Sequence, residues 1–271
     1  VTPAESPGVG YVANDAPAYE RSMGRWSRML AERFVAALDL PDSGRFLDAG
    51  CGTGALATAL NARHPACDIL GIDPSADYIA AAQAALPLAR FATGDIHALD
   101  LSDASQDAAM ALLVLEFVAS PAEALAEMAR VTRPGGLVAT AMWDFVGGFP
   151  FLRLFADTAA AILPEAASWR ARHWARPLGS PGRLAGLFAA AGLTEIAESD
   201  LHIRQNFENF ADWYTPWLSG QGVVGAFLVS LPPAERARLE AALRLAWGPE
   251  DGPRSFVATA RLCQGRLPAS C

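Results

Sequence analysis

The densest chemistry in the chain lies in Phe46-Leu47-Asp48-Ala49-Gly50-Cys51-Gly52-Thr53-Gly54 and, shortly after, Gly71-Ile72-Asp73-Pro74-Ser75. The first run reads as a strand entering a glycine loop. Glycine lets backbone touch a ligand and takes angles closed to other residues. The second reads as a strand ending on a carboxylate, which at that place in a parallel sheet can accept both hydroxyl hydrogens of a ribose. Together they describe a crevice for an adenosine-containing cofactor.

The loop spacing narrows the choice. A pyrophosphate loop reads Gly-x-Gly-x-x-Gly, whereas here the glycines are Gly50-x-Gly52-x-Gly54 with Asp48 two residues ahead. An acid there opposes a diphosphate and suits an ammonium. A cofactor with adenosine, a sulfonium and an amino-acid tail, and no phosphate, fits: S-adenosylmethionine.

These residues need a frame to position them. Residues 19–38 carry Trp26, Met29, Leu30, Phe34 and Leu38 at helical spacing. Strands are predicted at 45–49, 68–73, 90–93, 107–114 and 137–143, with helices at 53–63, 75–85 and 121–130 between them. The apolar run after Asp107 suits a strand covered on both faces. Alternating strand and helix predicts a doubly wound α/β fold, with a mostly parallel seven-stranded sheet and helices on both faces. Further helices at 151–162, 181–191 and across 207–245, with strands at 193–201 and 255–262, complete it. The expected organisation is a loose arm over 1–18, a cofactor-binding part over 19–144 and a lid segment over 145–180. The rest of the sheet domain, 181–271, carries a helical insert at about 205–250 and completes a lid made from two chain segments.

Composition sets outer limits. The 271 residues are 52% hydrophobic, enough for a sizeable core, and the net charge is −8. There is no lysine, and such a surface offers no broad phosphate-binding stripe, which argues against nucleic acid. The cysteines at 51, 67, 263 and 271 make no CxxC spacing, so no metal site is expected and the usage fits a reducing cytoplasm. Residues 1–18 lack a basic-then-apolar leader, and no apolar run reaches membrane-spanning length. The expected assembly is a monomer or homodimer.

In these motifs the chain resembles the class I S-adenosylmethionine-dependent methyltransferases, in the subgroup acting on small molecules such as quinone precursors and natural products. The loop from Asp48 to Gly54, Asp73 with Pro74, Gly94-Asp95-Ile96, the fourth-strand segment 107–118 and Arg133-Pro134-Gly135-Gly136 follow the family order. The resemblance implies that Gly50, Cys51, Gly52 and Gly54 pass the methionine part of the cofactor, with Asp48 acting through the loop. It implies that Asp73 clasps the ribose, that Asp95 takes the adenine amine and that Ile96 covers the ring. Tyr19, Met23, Arg25 and Trp26 resemble a helix that closes over the cofactor, Arg25 pairing either with its carboxylate or in a surface ion pair. Leu112, Leu113 and Glu116 would lie beneath it, and Glu116 stands where many relatives have histidine. S-adenosylhomocysteine would be the product.

Methyl transfer needs a nucleophile held in line behind the methyl group, and proximity supplies much of the rate. Candidate bases are His97, Glu116, Asp144, His173 and His202. His173, between Trp169 and Trp174 and near Arg170, Arg172 and Arg176, is either a general base or a histidine on an arginine-rich turn. Aromatic residues crowd the segments after Trp143, which suits an apolar or planar acceptor methylated on O, N or C, and equally suits a core of the lid. The rivals are a nicotinamide-dependent oxidoreductase, opposed by the loop spacing and the missing lysine, and a non-catalytic S-adenosylmethionine-binding protein.

Overall fold

The computed structural model describes residues 16–174, 177–220 and 222–269, apart from the side chains of Ala18 and His173. Most of the expected arm, with Arg176 and Cys271, lies outside the described residues.

Strands β1 (Arg45–Ala49), β2 (Asp68–Asp73), β3 (Arg90–Thr93), β4 (Gln106–Leu112), β5 (Thr132–Trp143), β6 (Thr194–Phe207) and β7 (Arg254–Arg266) form one sheet in the order β3-β2-β1-β4-β5-β7-β6. The pairs from β3 to β5 are parallel, and β7 runs antiparallel to both β5 and β6. Strand order reverses between β1 and β4, the place where open α/β sheets leave a crevice at the carboxyl ends.

Period-two alternation sends neighbouring side chains to opposite faces. Phe46, Ala108 and Met110 enter one buried cluster, while Leu47, Ala109 and Ala111 enter another. On the second face α5 (Pro121–Val131) buries Leu125 and Met128, and α8 (Arg183–Ala190) buries Leu184 and Phe188. On the first, α2 (Arg25–Ala37) buries Leu30 and Phe34 beside α3 (Ala55–Arg63). Helix α4 (Ala76–Ala85) is capped by Ser75, whose hydroxyl accepts the Tyr78 N–H.

The first helix departs from its predicted form. Residues 19–38 are not one uniform helix: α1 (Ala16–Tyr19) passes into a π-helical turn (Glu20–Gly24) before α2. Gly24 permits this, because a Cβ there would stand 2.4 Å from the Glu20 carboxylate. Strand β6 also runs past 201 to Phe207, in register with β7 throughout that extension. Its inward residues Leu201, Ile203, Gln205 and Phe207 are buried, an alternation that the helical reading of 205–250 overlooked.

Above the carboxyl ends lie α6 (Pro150–Ile162), α7 (Pro164–Trp174), α9 (Phe210–Tyr214), the 3-10 turn Thr215–Ser219, α10 (Gly222–Ser230) and α11 (Pro233–Trp247). Aromatic contacts join the two chain segments: Phe155 meets Trp217 edge-on at 5.0 Å, and Trp169 stacks on Phe227 at 4.5 Å. Such pairs add to simple burial through their quadrupoles. Among the described residues no helix is long and apolar enough to cross a membrane.

Candidate active site

A cavity of about 510 Å³ opens over the ends of β1, β2 and β4. One end is lined by Asp48, Gly50, Cys51, Gly52, Asp73, Pro74, Asp95 and Ile96. The opposite end is lined by Trp143, Phe145, Phe149, Leu152, Trp217 and Val223. Tyr19, Met23, Leu112 and Leu113 also face it.

The glycine loop is held by its own backbone. The Gly50 and Cys51 N–H groups both donate to the Ile72 carbonyl, at 2.7 and 3.0 Å. Gly50 has φ +76°, and a Cβ there would meet Val114 at 2.6 Å. Gly52 has φ +52°, yet a Cβ there would meet nothing within 4 Å, so its open side is room for a ligand. Gly54 caps α3 and bonds back to the Cys51 carbonyl; it shapes the turn rather than lining the cavity.

The two buried acids differ. Asp73 accepts the Gly52 N–H on Oδ2 and the Ser75 N–H on Oδ1, each at 2.9 Å. Burial pushes its carboxyl upward, and the two amides oppose that shift. Asp48 accepts the Ala57 N–H at 3.0 Å through Oδ2, while its Oδ1 is buried with no partner among the described residues. Burial pushes Asp48 up to about 7 against the Ala57 amide, with Asp73 adding like-charge repulsion. Burial also raises the Cys51 thiol, which keeps it protonated and unreactive.

Asp95 remains largely exposed and is held below the ordinary carboxylate range by the His97 amide and ring. The His97 Nδ1 lies 2.7 Å from Asp95 Oδ1, and the Ser120 N–H donates to His97 Nε2 at 3.3 Å. Because Nε2 accepts, Nδ1 carries the proton and donates to Asp95. His97 therefore braces the loop after β3 against the start of α5 and does not face the aromatic end of the cavity.

Several expected roles change once the side chains are placed. Arg25 does not line the cavity: its Nη1 donates to both oxygens of Asp212, at 3.0 and 3.3 Å, and the guanidinium lies over Trp26 and Phe207. This is the ion-pair alternative, with the partner on α9 rather than on a ligand. Trp26 is 4% exposed and packs edge-on against Phe207, a core position. Glu116 turns away from the cavity, because the backbone bends at Leu113 and buries the carboxylate against the Leu178 N–H. Desolvation raises its pKa against that bond and the charge of Arg183. Asp144 closes a short turn through the Val146 and Gly147 amides and also stays out of the cavity. His202, on β6, pairs with Thr259 on the exposed side of the sheet. The His173 side chain lies outside the described residues.

Other contributors went unread in the sequence. Glu20 accepts the Thr53 hydroxyl at 2.5 Å and pairs with Arg28, tying the π-helical turn to the glycine loop. Its only signal is its place one turn before Gly24. Tyr78 lines the cavity with its ring 5.5 Å from that of Tyr19, and its signal is the position three residues past the Ser75 cap. Leu113 has φ +63°, a conformation that β-region residues avoid, and nothing in a leucine marks it. Among the described residues no cluster of His, Cys, Asp and Glu could hold a metal ion.

The fold and this cavity define an α/β protein with a nucleoside-cofactor site at its strand-order switch. Residues 47–140 match the family described as "Methyltransferase domain". A trans-aconitate 2-methyltransferase from Methylobacterium nodulans is 30% identical over 259 residues, covering 92% of this chain and 95% of that protein. The same-named protein of Variovorax paradoxus is 32% identical over 162 residues, covering 60% of this chain and 58% of that one. Other matches are partial: the chain spans 30% to 58% of the length of three of the curated relatives it matches. Haemonchus contortus phosphoethanolamine N-methyltransferase 2, solved in complex with S-adenosyl-L-methionine, shares the fold at a TM-score of 0.55 and 14% identity, covering 93% of this chain and 56% of that one. The chain belongs to the class I S-adenosylmethionine-dependent methyltransferases.

Proposed function

We propose that the chain transfers a methyl group from S-adenosylmethionine to O, N or C of a small acceptor. The observation that carries this reading is one cavity whose acidic, glycine-bounded end and aromatic end meet at Leu112 and Leu113. The residues present fit the cofactor: Asp48 Oδ1 is a buried acceptor with no donor among the described residues, and Gly52, which lines the same cavity, leaves an open side. Asp73 would hold the ribose, Asp95 the adenine amine, and Ile96 the face of the ring, while Gly50, Cys51 and Gly52 would border the amino-acid tail.

The bound cofactor supplies an activated methyl group, which an acceptor lone pair takes as the carbon–sulfur bond breaks and its electron pair stays on sulfur, leaving S-adenosylhomocysteine. The chain's own part is positioning and dryness. Leu113 sets the floor where the two halves meet, and the aromatic wall excludes water. Alignment of this kind accounts for about 7–11 kcal/mol of a barrier in favourable cases. Glu116 and Asp144 are engaged elsewhere, so we assign neither as base. The acidic net charge supports a small molecule over nucleic acid, and the free cysteines Cys51, Cys67 and Cys263 support a cytoplasmic setting. A monomer or homodimer remains our reading of the assembly. The test is calorimetric titration with S-adenosylhomocysteine, followed by a screen for labelled methyl uptake by phenols, quinols and amines. Saturable binding with transfer to one acceptor class supports the reading, and absence of binding overturns it.

A further inference from the structure

The acceptor end of the cavity has a chemical character unlike the polycarboxylate named for the two relatives that match most of this chain. Its walls are Trp143 at the end of β5, Phe145 and Phe149 in the following turn, Leu152 on α6, Trp217, and Val223 on α10. Trp143 and Phe149 stack at 4.6 Å with 16° between their planes, and Phe145 stands edge-on to Phe149 at 5.7 Å. The Trp143 indole nitrogen is buried with no partner among the described residues, so its ring presents carbon to the space. The nearby Trp174 indole N–H donates to the Phe145 carbonyl at 2.8 Å and holds that turn closed.

Charge points the same way. Among the described residues no arginine lines the cavity; its acids are Asp48, Asp73 and Asp95, and its one histidine, His97, is bound to Asp95. Arg25, between the cavity-lining Met23 and Ser27, is committed to Asp212 on three contacts, including the Asp212 carbonyl at 3.5 Å, and lies over Trp26 and Phe207. A carboxylate moved against Trp143, Phe145 and Phe149 sheds its water without gaining an arginine among the described residues that line the cavity, which disfavours it. An aromatic ring gains stacking and edge contacts there.

Resting on the methyltransferase reading, we propose that the acceptor of this chain is an uncharged, planar aromatic compound seated against Trp143, Phe149 and Trp217. A polycarboxylate of the kind named for its full-length relatives is then a poor acceptor. The selecting elements are the β5–α6 turn and α10, which belong to the two segments above the sheet and not to the cofactor loop.

The test uses a matched probe pair, 2-naphthol and 6-hydroxy-2-naphthoate, which differ by one carboxylate, with trans-aconitate as a third probe. Each is titrated into the full chain saturated with S-adenosylhomocysteine, following tryptophan fluorescence, since Trp143 and Trp217 border the site. The expected result is naphthol binding at least tenfold tighter than the naphthoate, with no trans-aconitate binding. In Leu152→Arg, the naphthoate should gain at least tenfold relative to naphthol, with S-adenosylhomocysteine binding as the folding control. Equal or tighter binding of the naphthoate, binding of trans-aconitate, or no binding of naphthol to a chain that does bind S-adenosylhomocysteine overturns the proposal. A chain that fails to bind S-adenosylhomocysteine overturns the methyltransferase reading instead.

Discussion

Asp73→Asn separates the two tasks assigned to one side chain. In the wild type, Oδ1 accepts the Ser75 amide and Oδ2 the Gly52 amide, each at 2.9 Å. Asparagine keeps an oxygen for Ser75, because Asn forms the same local turn. Its NH2 group then faces the Gly52 N–H, donor against donor. The folded state loses one charge-assisted bond, but it also sheds the cost of a desolvated carboxylate, the main cause of the raised pKa. The two effects oppose each other, so unfolding free energy should fall by only about 1 kcal/mol. For the ligand no such offset exists. A ribose hydroxyl loses an anionic acceptor, and hydrogen bonds to charged groups contribute about 1.5–3 kcal/mol, so the dissociation constant should rise roughly 10- to 150-fold. The assay is calorimetric titration with S-adenosylhomocysteine alongside thermal melting. A folded Asp73→Asn protein binding within threefold of wild type would refute the ribose assignment.

Other outcomes follow from the same geometry. Asp48, pushed up to about 7 by burial, holds its proton more tightly folded than unfolded; its contribution to stability is full below about pH 4 and is lost as pH rises through about 7. An ammonium beside its free oxygen should expel that proton, so binding of S-adenosylhomocysteine at pH 7 should release about half a proton, read from the buffer dependence of the binding enthalpy. Arg25→Gln should lower stability by about 1 kcal/mol, with coupling to Asp212→Asn in a double-mutant cycle, while ligand affinity stays within threefold; a large loss of affinity would restore Arg25 as a ligand contact. Glu116→Ala should cost about 1–3 kcal/mol by leaving the buried Leu178 amide unpaired, Glu116→Gln much less, and neither should shift the pH profile of turnover. Leu113→Gly should relieve the backbone at φ +63° while giving up the side chain's packing against the core, two opposed effects on stability, and should slow turnover by removing a cavity-lining side chain, read as lowered kcat.

Strands β1, β2 and β3 were readable to the residue, and the reasons are physical. Each is short and continuously apolar or ends on a turn signal such as Asp73-Pro74-Ser75, and local chemistry settles such elements. Asp48, Asp73 and Asp95 were legible as cavity residues because a glycine loop and two strand ends leave their side chains few places to go. The misread residues depend on distant partners. Arg25 meets Asp212 across 187 positions, and Glu116 meets Leu178 across 62. Asp144 was read by its place at the end of β5, but its own short turn satisfies it first. The π-helical turn hides inside a good helical pattern, since only the approach of Glu20 to Gly24 distinguishes it. The aromatic residues after Trp143 could not be divided by composition: Trp143, Phe149 and Trp217 border the cavity, whereas Phe210 and Trp213 pack among α9, α11 and each other.

The most direct measurement is competition at a single site: S-adenosylmethionine, S-adenosylhomocysteine and NAD titrated into the same preparation. Saturation by both S-adenosyl compounds at one equivalent per chain, undisturbed by excess NAD, is the expected result. Tight binding of NAD with no binding of S-adenosylhomocysteine would contradict a cavity built for a nucleoside with a charged amino-acid tail.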